Sequence, residues 1–141
     1  MQSSTLQVQD PAKARAFFEN KVAFTTGPVE LDRMLKSGDN HVTVIDVRTA
    51  EDYAKGHIPG ALNLPDGTWE RPTGPSKDKT NVVYCYTIVC RLAAKACVAF
   101  ARQGFPVMEL DGGFETWKEY QMDIEQEPAN RLKQGDQQQR R

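Results

Sequence analysis

The chain has 141 residues, of which 39% are hydrophobic and 26% are charged, so it is long enough for one globular domain with a buried core. Its formal net charge of -1 creates no overall field that would attract nucleic acid or an anionic membrane, and neither is expected as a partner. No apolar run reaches the roughly 18 residues that a membrane-spanning helix needs. The N-terminus also lacks the basic start and the apolar stretch of a secretory signal, so a cytoplasmic protein is expected.

Capping residues and hydrophobic spacing predict helices that alternate with strands. Asp10 and Pro11 are typical of a helix start, and Gly38 and Gly104 of helix ends. Nearly every residue of 42–47 is apolar or β-branched, as expected of a strand that is covered on both faces. The predicted elements are, in chain order, a helix over 11–21, a helix between Gly27 and Gly38, a strand over 42–47, a helix over 50–55, a strand over 81–84, a helix over 91–103, a strand over 107–110 and a helix over 114–120. This alternation predicts a parallel sheet in an α/β fold.

Composition divides the chain into three parts. We expect residues 1–24 to form an N-terminal helical extension and residues 25–122 to form the only folded domain. Residues 123–141 are polar and glutamine-rich and offer little to bury, so a disordered tail is expected there. Within the domain, residues 65–80 are rich in Pro, Gly, Asp and Lys, and are expected to form a long surface loop that carries Trp69.

Three cysteines lie close together in the sequence, at Cys85, Cys90 and Cys97. An odd number of cysteines is a poor disulfide framework. A metal site is also not expected, because the spacings are not Cys-x2-Cys and the only histidines, His41 and His57, are distant in sequence. The sequence therefore predicts free thiols, either reactive or buried, and no metal or cofactor.

Cys85 has the position of a reactive thiol. It directly follows a buried strand and precedes a helix, and sites in open parallel sheets form beyond the carboxyl ends of the strands. We expect the loop amides and the helix dipole to point at its sulfur, to lower the pKa of the thiol and to favour a thiolate or a bound anion. The residues expected to bind the substrate are those of the loop, Tyr86, Thr87, Ile88, Val89, Cys90 and Arg91. The alternative is that Cys85 is a small core residue at the end of a strand.

Two segments on either side of Cys85 carry distinctive motifs. Residues 46–63 begin with Asp-Val-Arg and continue to Gly-His-Ile-Pro-Gly-Ala and Asn, and residues 112–117 carry a Gly-Gly pair followed by Trp. Both motifs resemble signatures of the rhodanese-like family, and residues 82–85 resemble the strand that delivers its catalytic cysteine. The resemblance implies a three-layer fold, in which helices flank a central five-stranded parallel sheet. It also implies a sulfurtransferase that forms a persulfide on Cys85, with thiosulfate or a protein persulfide as donor and a thiol or cyanide as acceptor.

The loop after Cys85 departs from the family's usual pattern, Cys-x-x-Gly-x-Arg-Ser. Ile88 stands where Gly is usual and Arg91 comes one position late, so a lengthened loop is expected. The spacing Cys85-x5-Arg91 is also the signature of cysteine-dependent phosphatases, and the rhodanese superfamily includes phosphatases and arsenate reductases with enlarged loops. Phosphate or arsenate chemistry is therefore the alternative enzymatic function. A regulatory or protein-interaction module is the alternative outside enzymes, although such modules usually lack the cysteine.

Several other residues have both a functional and a structural interpretation. Cys90 is either a resolving thiol that forms a disulfide with Cys85 or a small residue that fills the loop. Arg91 either binds the anion or points into solvent. Structural roles are expected for the remaining residues, namely an Arg48 pair with Asp52, hydrogen bonding by Asp46 and His57, a loop anchor at Trp69, and core packing by Cys97 and Trp117. The functional alternatives are an acceptor for the loop amides at Asp46, a general base at His57 and a wall of the substrate path at Trp69.

Overall fold

The structure, a computed structural model, describes residues 7–38 and 40–128 of the chain. Its elements are α1 Pro11–Phe24, β1 Thr25–Thr26, α2 Pro28–Lys36, β2 Val42–Asp46, α3 Ala50–Lys55, β3 Leu62–Asn63, β4 Thr80–Tyr84, α4 Leu92–Arg102, β5 Val107–Leu110 and α5 Gly113–Glu119. The strands form one parallel sheet in the order β1-β5-β4-β2-β3. The predicted five-stranded parallel sheet flanked by helices is thereby confirmed. β1 and β3 have 2 residues each, which is too short for a hydrophobic pattern, and the sequence analysis did not identify them.

β2 and β4 lie at the centre of the sheet and are covered on both faces. Their side chains alternate between the two faces, as the pleat of a strand requires. Val44 and Val82 pack into a cluster with apolar residues of α2 and α5. Ile45, Val83 and Cys85, the residue after β4, pack into a second cluster with apolar residues of α4. The sheet is thus the middle of three layers, and Cys85 lies on the α4 side of it.

A buried polar cluster joins β2 to β4 near the carboxyl ends of both strands. Arg48 is 4% exposed and its Nη2 lies 2.8 Å from Oδ2 of Asp46, to which the hydroxyl of Tyr84 also donates over 2.6 Å. Asp52, the expected partner of Arg48, instead accepts a hydrogen bond from the hydroxyl of Tyr86. The expected Arg48–Asp52 pair was therefore wrong, because a buried guanidinium needs a carboxylate that is buried with it. Asp46 and Arg48 have the structural roles that were predicted for them.

Three other structural predictions agree with the packing. Trp69 is 9% exposed and donates from Nε1 to the carbonyl oxygen of Leu64 over 2.8 Å, so it anchors the loop over 65–80. His57 is 1% exposed, with Nδ1 2.7 Å from the carbonyl oxygen of Tyr53. Trp117 is fully buried in the core. His57 and Trp117 lie outside the buried cluster that contains Cys85, whereas Trp69 packs within it.

The segment after α5 packs on the domain. Glu125 forms an antiparallel bridge with His57, and the amide of Glu127 donates to the carbonyl oxygen of Ala54 over 3.0 Å. The expected tail boundary was therefore wrong for residues 123–127, since even a polar segment is ordered when its backbone groups find partners. The remainder of the expected tail, 129–141, and the first six residues of the extension lie outside the described residues.

α1 buries none of its side chains. Its apolar residues Phe17, Phe18, Val22 and Phe24 are all at least 57% exposed. Within residues 7–38 and 40–128, the structure contains no helix with the length and apolar character needed to cross a membrane. α1 nevertheless contacts β5, and Phe17 and Phe24 line a groove between it and residues of α4 and β5. A polar residue of α1, Lys21, lies at the site described next.

Candidate active site

Cys85 lies at the carboxyl end of β4, in the middle of the sheet. β4 ends at Tyr84, and the side chain of Cys85 is 2% exposed. Because β4 is flanked by β2 and β5, the ends of those strands at Asp46 and Leu110 lie along the same edge. This is the edge at which sites form in open parallel sheets, as the sequence predicted.

A tight turn brings the loop after Cys85 back over the start of α4. The amide of Cys90 donates to the carbonyl oxygen of Thr87 over 3.1 Å, which reverses the chain. The start of α5 also holds the loop in place, because the amide of Phe114 donates to the carbonyl oxygen of Cys85 over 2.9 Å. A Cβ atom at Gly113, where φ is +64°, would lie 2.8 Å from that oxygen. The Gly-Gly motif therefore provides both the left-handed backbone and the close approach that the loop requires.

The thiols of Cys85 and Cys90 are joined by a hydrogen bond, and all three cysteines are free. Burial, together with the hydrogen bond to Cys90, raises the pKa of Cys85 to about 11. Burial acts in the same direction at Cys90, but hydrogen bonds from Cys85 and from backbone amides outweigh it and lower the pKa of that thiol. The expected lowering of the pKa at Cys85 was therefore wrong. Of the two thiols, Cys90 is the less buried and the one whose pKa is lowered, so it ionises more readily than Cys85.

Backbone amides from both ends of the loop serve the two sulfurs together. The donors are the amides of Tyr86 and Ala93 for Cys85, and those of Tyr86, Thr87 and Leu92 for Cys90. Two of these amides belong to the first turn of α4, where backbone N–H groups lack partners within the helix. The amides predicted to point at Cys85 therefore form a cradle around both sulfurs, and binding of an anion by this cradle stays a prediction.

A pocket of about 300 Å³ opens beside Cys85. It is lined by residues of α1, the loop and the end of β5, which are Lys21, Cys85, Thr87, Ile88, Glu109, Leu110, Asp111, Gly112 and Gly113. Burial and the neighbouring charge of Asp111 raise the pKa of Glu109, against the opposing charge of Arg91. The lining of the pocket thus contains two carboxyl groups, those of Glu109 and Asp111, and one ammonium group, that of Lys21.

Only part of the loop faces this pocket. Thr87 and Ile88 line it, and their predicted role in binding the substrate stays a prediction. Tyr86 turns toward α3, where its hydroxyl donates to Oδ2 of Asp52 over 2.6 Å. Its backbone amide is still part of the cradle, so Tyr86 serves the site through the main chain.

Val89 and Arg91 are exposed and are not among the residues that line the pocket. Arg91 stands directly before α4 as its N-cap residue. Its exposed position agrees with the alternative in which Arg91 points into solvent, and an anion contact by Arg91 stays a prediction. The expected lengthening of the loop relative to the family also stays a prediction.

Sequence reasoning missed the charged groups of the pocket. Glu109 and Asp111 lie at the end of β5, beside β4 in the sheet, so the rule that strand ends meet at one edge could have identified them. Lys21 comes from α1, and no pattern in the sequence indicates that this helix reaches the site.

Comparison with known proteins identifies one family. The model of the Rhodanese-like domain family matches residues 27–120, which include every loop residue of the site.

Two curated relatives and one solved structure are similar to the chain. The HTH-type transcriptional regulator Rv0324 of Mycobacterium tuberculosis is 37% identical over 90 residues, a match that covers 63% of this chain but only 39% of the regulator. The thiosulfate sulfurtransferase GlpE of Pseudomonas paraeruginosa is 34% identical over 82 residues, which are 57% of this chain and 73% of that enzyme. The crystal structure of the BH2092 protein from Bacillus halodurans superposes with a TM-score of 0.76 at 34% identity, covering 83% of this chain and 87% of that one.

Proposed function

The chain belongs to the rhodanese-like domain family, and we propose that it is a sulfurtransferase that carries sulfane sulfur as a persulfide on Cys85. The observation that carries this proposal is the place of the Cys85 thiol, which opens onto a pocket and lies among backbone amides able to hold the charge of a persulfide. The similarity to a thiosulfate sulfurtransferase supports the same class of reaction.

The thiol pair supplies the proton acceptor that this reaction needs. A pKa of about 11 keeps Cys85 protonated near neutral pH, whereas the attacking species must be a thiolate. Cys90, whose pKa is lowered, is the neighbouring group that takes the proton as the Cys85 sulfur attacks the sulfane sulfur of the donor. The remainder of the donor leaves with the electron pair of the broken bond. The outer sulfur of the new persulfide then carries the negative charge.

The pocket favours a protein persulfide over thiosulfate as the donor. The carboxyl groups of Glu109 and Asp111 oppose the approach of a small dianion. Ile88 and Val89, at 77% and 81% exposure, place apolar side chains on the surface at the loop, where a partner protein would cover them. The three free thiols fit a reducing compartment, so the exchange is assigned to the cytoplasm.

Phosphate or arsenate chemistry is the second candidate, and Glu109 is the observation that favours it. Burial raises the pKa of this pocket carboxyl, which makes it a more available proton donor for a leaving group. The spacing of Cys85 and Arg91 fits the same chemistry. This candidate ranks second because Arg91 is not among the residues that line the pocket.

One set of assays separates the two reactions. Sulfur transfer to cyanide is measured with thiosulfate and with a persulfidated protein as donors, and hydrolysis of an aryl phosphate is measured in parallel. We expect transfer by the wild type, faster from the persulfidated protein, and a loss of roughly 1,000-fold or more in Cys85→Ser, because the nucleophile is removed. Cys97→Ser is the matched control, since Cys97 lies in α4 outside the pocket lining, and it is expected to retain transfer.

The outcomes that contradict the proposal are also distinct. Phosphate hydrolysis that requires both Cys85 and Arg91, without sulfur transfer, would replace it with the second candidate. If the wild type shows neither activity, a regulatory or interaction module becomes the better account.

A further inference from the structure

Cys90 is placed to react with Cys85 once a persulfide has formed. The two thiols share a hydrogen bond, and Cys90 packs against the buried cluster that contains Cys85. A backbone turn between Thr87 and Cys90 brings the chain back to this position. Two neighbouring amides, those of Thr87 and Leu92, bond to Cys90 and not to Cys85. A side chain that merely filled the loop would not need these donors, which hold a sulfur anion.

Cys90 lies next to Cys85 but does not line the pocket that opens beside it. Cys85 lines the pocket whereas Cys90 does not, so the pocket offers room for the outer sulfur of a persulfide away from Cys90. Displacement at sulfur proceeds with the attacking and leaving atoms on opposite sides of the sulfur that is attacked. The arrangement therefore suits attack by Cys90 on the Sγ atom of Cys85, with the outer sulfur as leaving group.

We propose that the chain releases the bound sulfur as hydrosulfide by closing a disulfide between Cys85 and Cys90. This inference rests on the proposed sulfurtransferase function and defines one fate of its persulfide. The Cys90 sulfur forms a bond to Sγ of Cys85, and the bond between that Sγ and the outer sulfur breaks. The outer sulfur leaves with the electron pair and takes the proton that Cys90 had accepted from Cys85. The thiol pair is oxidised to a disulfide, and the sulfane sulfur is reduced to sulfide.

A second turnover requires a reductant of the dithiol class. Such a compound reduces a protein disulfide by thiol–disulfide exchange, which begins with attack on an accessible sulfur. Cys90 is the partly exposed member of the pair, so it offers the reductant that access, whereas Cys85 is buried. Without a dithiol, each chain should release sulfide once and then stop.

The test is a single-turnover experiment on the full chain. Reduced protein, free of reductant and acceptor, is mixed with glutathione persulfide as the probe. Sulfide is measured above the release by the probe alone, and the protein is analysed by mass spectrometry. The wild type is expected to release about one hydrosulfide per chain and to acquire a Cys85–Cys90 disulfide. Cys90→Ser lacks the proton acceptor and loads more slowly, so it is incubated until loading is complete; it is expected to release none and to retain the added sulfur on Cys85.

Controls and outcomes separate this inference from the function on which it rests. Cys97→Ser should behave as the wild type, and Cys90→Ala should repeat the result of Cys90→Ser. A wild type that keeps its persulfide as long as Cys90→Ser does, without sulfide or disulfide, overturns the inference while leaving the sulfurtransferase in place. If neither the wild type nor Cys90→Ser acquires sulfur, the sulfurtransferase proposal fails, and this inference fails with it.

Discussion

At the scale of single residues, the difference in exposure between Cys85 and Cys90 decides which sulfur carries the charge. The buried Cys85 thiol loses more hydration on ionisation, so it donates its proton in the shared hydrogen bond. Cys90 accepts that bond and additional ones from backbone amides. In the proposed reaction the Cys85 thiol therefore stays neutral until Cys90 takes its proton. Cys90 speeds the attack without being required for it, because Cys85 can also lose its proton to solvent.

Cys90→Ser should lower the pKa of Cys85. The substitution removes the thiolate whose charge and hydrogen bond oppose ionisation of Cys85, so the pKa should fall below its value of about 11, while burial still holds it above that of a free thiol. Thiolate absorbance is followed across pH in Cys90→Ser/Cys97→Ser and in Cys97→Ser, so that the third thiol does not contribute. An unchanged or higher pKa for Cys85 would show that the two thiols do not share a proton.

The sequence predicted the position of Cys85 and the amide cradle, but not the distribution of charge between the thiols. Position follows from the order of strand, cysteine and helix, which the sequence shows directly. A pKa depends on burial and on side-chain partners, and a spacing along the chain fixes neither. The same limit explains the wrong partner for Arg48, since the sequence does not show that Asp46 is buried beside it.

At the scale of elements, the Gly-Gly turn before α5 determines where the active loop lies. The amide of Phe114, directly after the glycine pair, bonds to the carbonyl oxygen of Cys85, and a Cβ atom at Gly113 would meet the backbone of the loop. The glycine pair at 112–113, although distant in sequence from Cys85, thus determines where the loop after Cys85 lies.

Gly113→Ala should reduce both stability and sulfur transfer, whereas Gly60→Ala should reduce stability alone. Both glycines have positive φ, so each substitution is expected to cost about 1 to 2 kcal/mol in free energy of unfolding. Only at Gly113 would the new Cβ also meet the backbone of Cys85, at 2.8 Å, and displace the loop, because nothing lies within 4 Å at Gly60. Chemical denaturation and the transfer assay check this. Full transfer by Gly113→Ala, with a stability loss equal to that of Gly60→Ala, would contradict it.

The helices and the longer strands could be predicted, because caps and hydrophobic spacing identify them. Asp10 accepts a hydrogen bond from the amide of Ala12, as expected of a cap, although α1 continues to Phe24. β1 and β3 are too short to show a pattern, and only the family resemblance implied a sheet of five strands. Residues 123–127 were misassigned because their order comes from backbone bonds, which composition does not reveal.

At the scale of the whole molecule, the sheet order assembles the site from parts that are distant in sequence. β4 lies between β2 and β5, so Cys85 has the end of β5, with Glu109 and Asp111, at its side. Parallel pairing and the α/β class were predictable from the alternation of elements. The contribution of Lys21 could not be predicted, because α1 buries no side chain and so has no buried apolar face that would fix the position of the helix.

The central claim is that sulfur is carried on Cys85, and peptide mass spectrometry after prolonged incubation with glutathione persulfide tests it most directly. Cys90→Ser is the suitable protein, because the proposed release step is blocked in it and the persulfide should persist. The account predicts one added sulfur atom on the peptide that contains Cys85, and none at that position in Cys85→Ser/Cys90→Ser. An unmodified Cys85 peptide, or added sulfur found only on Cys97, would contradict it.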